Sequence, residues 1–238
     1  MKLYKYYPIT SLSFIIDKQT FRFTQPNQFN DLYDSLPNIK CEALRLKKYE
    51  GININQNIKT LFKDEILNKH NANELQFQEN IQNKISKEVG VLCLTSTSEN
   101  TLMWSHYASN HSGFVIEIDT NNQWFQNNFI VKKVVYKNER TKVTFKDILN
   151  KQYDFIYEKS KDWIYENEYR IVMPLFGCKD NNNIYTMEFP TNLITNIICG
   201  YRMEDKYIEK IKEYLNDDVI CQVNPDSTNY KMRERELI

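Results

Sequence analysis

The sequence predicts a single α+β domain over residues 1–238, built on a mixed or antiparallel sheet. Three observations predict it. Short runs with strand character recur on both sides of the chain, among them Lys2 to Tyr7, Val89 to Thr95 and Phe114 to Ile118. Between the early and later strands lies a long charged block, Asn38 to about Lys87, with helical spacing, which reads as a helical insertion at 38–87. Only 5 Gly and 6 Pro occur, so long flexible linkers are not expected, and there is no internal repeat, low-complexity tract or clear boundary.

The elements follow in order. Lys2 to Tyr7 reads as a first strand and Ser11 to Ile16 as a short helix. Thr20 to Thr24 alternates, which is the period of a half-buried strand. Gln25 to Asp34 is dense in turn formers. Ile58, Leu61, Phe62, Ile66 and Leu67 have i, i+3, i+4 spacing; Leu75, Phe77, Ile81 and Ile85 repeat it more weakly. After the buried strand Val89 to Thr95 come a Ser/Thr-rich loop, a short helical turn at Trp104 to Tyr107, and a strand at Phe114 to Ile118. Phe129 to Tyr136 is expected as one strand, Phe145 to about Lys161 as a helix, and Trp163 to Pro174 as containing the strand Glu168 to Met173. Strands at Ile184 to Phe189 and Ile194 to Cys199, an amphipathic helix at Glu204 to Leu215 and a last strand at Val219 to Val223 complete about eight strands.

Composition narrows the function. The net charge is +0, from 31 basic and 31 acidic residues, so no global basic field exists to hold nucleic acid without sequence preference. Cys41, Cys93, Cys178, Cys199 and Cys221 are scattered and odd in number, which argues against a disulfide framework and a Cys-rich zinc site. No signal-peptide core and no run approaching the ~18 apolar residues of a membrane span is present. A cytoplasmic protein without membrane contact is expected. GxGxxG, P-loop, HExxH, GxSxG and EF-hand patterns are missing, which disfavours Rossmann dehydrogenases and P-loop kinases.

Four constellations carry chemistry. Trp104, Ser105, His106 and Tyr107, with His111 nearby, combine a near-neutral base with aromatic faces. The same residues also suit a core-facing helix stripe. His106 and His111 at i, i+5 do not share a helix face, so no metal site is expected. On a continuous strand, Glu166, Glu168 and Arg170 fall on one face, opposite Tyr165, Tyr169 and Ile171. Two carboxylates and a guanidinium there can orient a ribose or stabilise a cationic transition state, or form a solvated Glu/Arg pair worth little. Asn30 and Asp31 can cap the following helix or reach into a cleft, and Asp31 with Asp34 at i, i+3 has spacing that permits a shared cation. Tyr4 and Lys5 on the first strand can contact a phosphate or ribose, or lie on an aromatic edge.

Leu3-Tyr4-Lys5-Tyr6, Phe29-Asn30-Asp31 with Asp34, Met103-Trp104-Ser105-His106-Tyr107 with His111-Ser112-Gly113-Phe114, and Trp163 with Glu166, Glu168, Tyr169, Arg170 and Ile171 together resemble bacterial domain-of-unknown-function family 2971. The order of the strands is more distantly similar to the ADP-ribosyltransferase superfamily, most of all to toxins that modify DNA bases. That resemblance implies an ADP-ribosyltransferase-like sheet core and an effector, in antiphage defence or as a toxin. NAD would be its substrate and a nucleic acid or protein its acceptor. Lys5 or Tyr4 would hold the NAD ribose, Thr95 or Ser96 would sit on the middle strand, and Glu168 or Glu166 would stabilise the oxocarbenium ion. The chain departs from the pattern at the first position, where Lys stands in place of Arg or His and lacks the planar fork. Trp104, Tyr107 and His106 would form one wall of the cleft, with Arg170 beside the acid. A metal-dependent nuclease or hydrolase using His106, Asp31 and Asp34, and a non-catalytic module for a nucleotide or phage component, are the competing expectations.

Overall fold

A computed structural model describes residues 1–39, 74–214 and 219–236. The expected helix around Ile58 to Leu67 lies outside the described residues. The chain divides into two compact units. The first takes Met1–Thr24, Val91–Val134 and Asp162–Ile238; the second takes Gln25–Gly90 and Val135–Lys161. The expected insertion at 38–87 falls within the second unit, which also takes in 25–37, 88–90 and 135–161.

The first unit is organised by an eight-stranded sheet. Its members are β1 (Lys2–Tyr7), β3 (Val89–Thr95), β4 (Phe114–Asp119), β5 (Val131–Lys133), β8 (Glu168–Pro174), β11 (Ile194–Cys199), β12 (Ile220–Pro225) and β13 (Met232–Glu236). They lie in the order β13-β12-β11-β4-β1-β3-β8-β5. Pairing is mostly antiparallel; β11 and β12 run parallel, joined through helix α6 (Asp205–Tyr214). A three-stranded sheet sets β2 (Thr20–Phe23) beside β10 (Ile184–Glu188) and β9 (Lys179–Asn181). The chain is thus an α+β protein with a mostly antiparallel, many-stranded sheet.

Alternation along β1 explains how the sheet packs. Leu3 and Tyr7 join one buried cluster with Phe21, Phe23, Leu92, Leu94, Phe114 and Ile116. Tyr6 points to the other face and packs with Met103, Trp104, Val115, Ile198 and Val223. Burying each such side chain contributes about 1.5–3 kcal/mol before chain entropy is charged against it. Short helices close both faces: α1 (Leu12–Ile16), α3 (Thr101–Tyr107), α4 (Gln123–Asn128) and α6. In α6, Ile208 and Ile211 are buried, consistent with its amphipathic spacing.

The second unit contains α2 (Glu74–Ile85), α5 (Phe145–Leu149) and a parallel pair, β6 (Val135–Lys137) with β7 (Glu158–Ser160). Phe77, Ile81 and Ile85 bury one face of α2 at fourfold spacing. Gln78 and Gln82 are buried with them and donate to the carbonyls of Ile39 and Asp34, at 3.2 and 3.0 Å.

Three expected elements differ, and strands that the sequence did not announce are added. The strand expected at Phe129 to Tyr136 is two short strands: Val134 is buried and its amide bonds the Glu168 carbonyl at 2.9 Å, ending β5, after which Val135 begins β6. The helix expected from Phe145 to Lys161 stops at Leu149, because Lys151 takes a left-handed φ of 55°; a 3-10 turn (Asp154–Tyr157) and β7 follow. Residues Lys161–Glu166 form a 3-10 turn, and Asn167 at φ 44° swings the chain into β8. Glu166 therefore leaves the strand face that Glu168 and Arg170 share. Finally, β13 follows the strand expected to be last, and β9 was not foreseen. The β9–β10 hairpin turns on Asn182 and Asn183, both at positive φ (53° and 65°), the geometry of a type I′ turn.

Candidate active site

The site grows from β1, β3 and β8. Glu168 and Arg170, two residues apart on β8, face the same side. Arg170 Nε and Nη2 donate to the two Glu168 oxygens at 2.7 and 2.9 Å, a fork-to-fork pair. Arg170 is fully buried and Glu168 nearly so, so the pair is not a solvated face. Cys93 of β3 lies beside it: burial, then the Glu168 charge, push its thiol well above the ordinary range. Lys5 donates from Nζ to the Cys93 carbonyl at 3.0 Å, with its ammonium 5.4 Å from the Tyr7 ring. Burial holds Lys5 below the usual lysine range, with Cys93 and Glu168 pulling the other way.

The loop from Thr95 to Asn100 ties these strands to the turn before β8. Thr95 Oγ1 donates to the Glu166 carbonyl at 2.5 Å, and the Ser96 amide to the Asn167 carbonyl at 3.3 Å. Asn100 uses its amide on the Tyr165 carbonyl at 3.2 Å, while its Oδ1 caps α3 by accepting from Leu102 and Met103. Trp104, fully buried, donates Nε1 to the Ser98 carbonyl at 2.6 Å and meets Tyr6 edge-on at 5.3 Å. Tyr107, one turn on, donates its hydroxyl to Glu166 Oε1 at 2.6 Å. His106 is exposed beside it, ring centroids 6.2 Å apart. The chain then turns through Ser109, Asn110 and His111, three successive left-handed residues at φ 48°, 52° and 71°.

Next to this lies an open cavity of about 670 Å³, lined by Tyr4, Ser98, Glu99, Asn229, Lys231 and Arg233. Tyr4 donates to Glu117 Oε2 at 3.0 Å; Lys2 and Thr195 reach Oε1, each at 2.7 Å. Burial raises the Glu117 pKa, but bonds from Lys2, Thr195 and Tyr4 outweigh it and hold the carboxyl below its usual value. The far wall is the β12–β13 connection. Asp226 accepts from the Thr228 and Asn229 amides, each at 2.8 Å, and pairs with Arg233. Two bonds fasten this hairpin in front of α3: the Met232 amide to the Glu99 carbonyl, and Thr101 Oγ1 to the Tyr230 carbonyl, both 3.0 Å.

Lys5, Ser96, Tyr107, Glu166, Glu168 and Arg170 thus gather on neighbouring strands and their loops. Tyr4, paired with Thr95 across β1 and β3, lines the cavity instead, Trp104 anchors the loop from within the core, and His106 stays at the surface. Asn30 and Asp31 belong to the second unit. There Asp31 Oδ1 accepts from the Tyr33 amide at 3.0 Å, a local turn bond, while Asp34 meets Ser35 Oγ at 3.0 Å and Lys159 Nζ at 3.5 Å. Among the described residues no three His, Cys, Asp or Glu side chains group as metal ligands. Sequence reasoning missed Glu117, Lys231 and Arg233. Glu117 was detectable as a charge inside an otherwise apolar strand; the two cations sit in a charged run that gives no core signal.

The fold and site therefore define an α+β protein with a buried carboxylate–arginine pair and an open cavity, linked by the loop from Thr95 to Asn100. A family model described as "Protein of unknown function (DUF2971)" matches residues 103–171, from α3 through the Glu166–Arg170 segment. No curated protein and no solved structure matches the chain. Among the described residues, no helix is long and apolar enough to cross a membrane.

Proposed function

We propose that the first unit carries an ADP-ribosyltransferase-like site that consumes NAD and modifies a nucleic-acid or protein acceptor. The observation that carries this reading is the loop from Thr95 to Asn100. Thr95 and Asn100 hold the backbone of Glu166 and Tyr165, while Ser98 and Glu99 line the cavity, so one loop joins carboxylate and cavity. In the reaction the bond from ribose C1′ to nicotinamide breaks and nicotinamide leaves with the electron pair. The acceptor nucleophile forms the new bond to C1′ and gives up its proton. A carboxylate beside the oxocarbenium ion stabilises it, and a positioned group of this kind supplies a few kcal/mol, about 10²–10³ in rate.

Glu166 is the acid this reading favours. Its orientation is set by the Tyr107 hydroxyl, whereas both oxygens of Glu168 are engaged by Arg170. Glu168 is then a positioning residue, and Lys231 and Arg233 supply cations for the pyrophosphate. The test is nicotinamide release and transfer of label from adenylate-labelled NAD by the purified protein. Glu166→Gln should lower turnover at least about 100-fold with an unchanged circular dichroism spectrum. Wild-type turnover in both Glu166→Gln and Glu168→Gln, or no NAD consumption with nucleic-acid and protein acceptors supplied, ends this reading.

A further inference from the structure

The second unit holds a cavity of its own. It measures about 250 Å³ and is walled by Tyr33, Leu36 and Phe155 on the apolar side and by Lys137, Arg140 and Lys159 on the polar side. The cations are not equivalent. Lys137 is bonded to Glu158 Oε1 and Thr141 Oγ1, both at 2.7 Å. Lys159, buried, faces the buried carboxylate of Asp34 at 3.5 Å. Arg140 differs: its guanidinium donates to Gln78 Oε1 at 3.1 Å and the Leu36 carbonyl at 3.4 Å, and lies 5.3 Å from the centre of the Tyr33 ring. Among the described residues every one of these partners is neutral. The remaining carboxylate of the lining, Glu139, is exposed at the rim, and Glu158 is already committed to Lys137 and Thr141.

A guanidinium partly drawn out of water, as Arg140 is, without a carboxylate partner carries a desolvation cost, and an anion brought by a ligand offsets it. Burial accordingly pulls the Arg140 pKa below its ordinary value. Beside it Tyr33 keeps 59% of its surface exposed, an unusual setting for a large aromatic already in contact with a cation. Phe155 and Leu36 are buried and supply an apolar floor. An aromatic face, an apolar floor and a fork-shaped cation together specify a flat ring carrying a phosphate. The volume lies just under the roughly 300–1,000 Å³ of sites for drug-sized ligands, which suits one nucleotide and not two. We propose that this cavity binds a nucleoside monophosphate, its base against Tyr33 and Phe155 and its phosphate on Arg140. The site is separate from the transferase reading and does not depend on it.

The experiment is calorimetric titration of the full chain with AMP and UMP, and with adenosine and inorganic phosphate as half-ligands. A mononucleotide should bind at least about tenfold more tightly than either half alone. Tyr33→Ala, a change at an exposed ring, and Arg140→Leu should each weaken binding about tenfold or more, with unchanged circular dichroism for the first. Lys231→Ala, in the cavity of the first unit, should leave it unchanged. Failure of AMP and UMP to bind at millimolar concentration overturns the proposal. So does binding that survives Tyr33→Ala, or that is lost in Lys231→Ala, because the nucleotide is then held elsewhere. Loss of NAD turnover in the Glu166→Gln variant with mononucleotide binding intact separates this site from the one proposed above.

Discussion

Arg170 of the first unit is fully buried and Arg140 of the second partly so, and they meet different partners. Arg170 is completed internally: Glu168 engages it through two bonds, and neither group has significant exposure. Arg140 is held by an amide, a carbonyl and a ring, with no carboxylate among the described residues. The first arrangement serves the fold, because its charges are spent on each other. The second leaves a charge whose best partner is not a described residue. A guanidinium that lacks its counterion is better evidence of a ligand than one that has it.

The comparison predicts unequal costs. Arg170→Met strands the Glu168 carboxylate in the core and should cost about 3–5 kcal/mol, read from urea unfolding. Adding Glu168→Leu should return much of that loss; a single variant as stable as wild type would show that the pair does not hold β8. Arg140→Met should cost only about 1–2 kcal/mol without ligand, chiefly because buried Gln78 Oε1 loses its donor. Equal losses in the two variants would erase the distinction.

Acid sharpens the contrast further. The folded pKa of Glu117 lies below its unfolded value, so its contribution is complete above the ordinary glutamate range. It is lost as pH falls through the lower, folded value. Thermal melts of Glu117→Gln should therefore show a weaker decline below about pH 4 than wild type, and an unchanged decline would remove Glu117 as a source of acid sensitivity. The smallest effect belongs to a surface pair: Lys210 and Asp17 meet at 3.4 Å with both side chains about half exposed, and Lys210→Ala should shift stability by no more than about 0.5 kcal/mol.

Much of the sheet was legible because its strands are periodic in the sequence. β3 and β4 announce themselves by apolar runs on either side of the Trp104 segment, and β1 by its cluster of tyrosines. What could not be read was partner choice. The run from Val131 to Val135 has the composition of one strand, yet Val134 ends one pairing and Val135 starts another, a decision made by neighbours remote in sequence. A single residue misplaced the acids: Asn167 tolerates a left-handed backbone, so Glu166 and Glu168 separate although their spacing says they coincide. β13 was invisible because Arg233, Glu234, Arg235 and Glu236 offer no apolar period. Arg140 carried no signal at all, since what marks it is the identity of its partners, which only the folded chain supplies.

The hairpin bonded to Glu99 and Thr101 has a consequence in time. On the ribosome, Glu168 is made 65 residues before Arg233, which at 5–20 residues per second is roughly 3–13 s. For most of that interval the nascent chain has the carboxylates but lacks Asn229, Lys231 and Arg233, half of the cavity lining. The cavity is thus assembled late in synthesis, and a chain cut short before β13 would keep the acids without the pocket beside them.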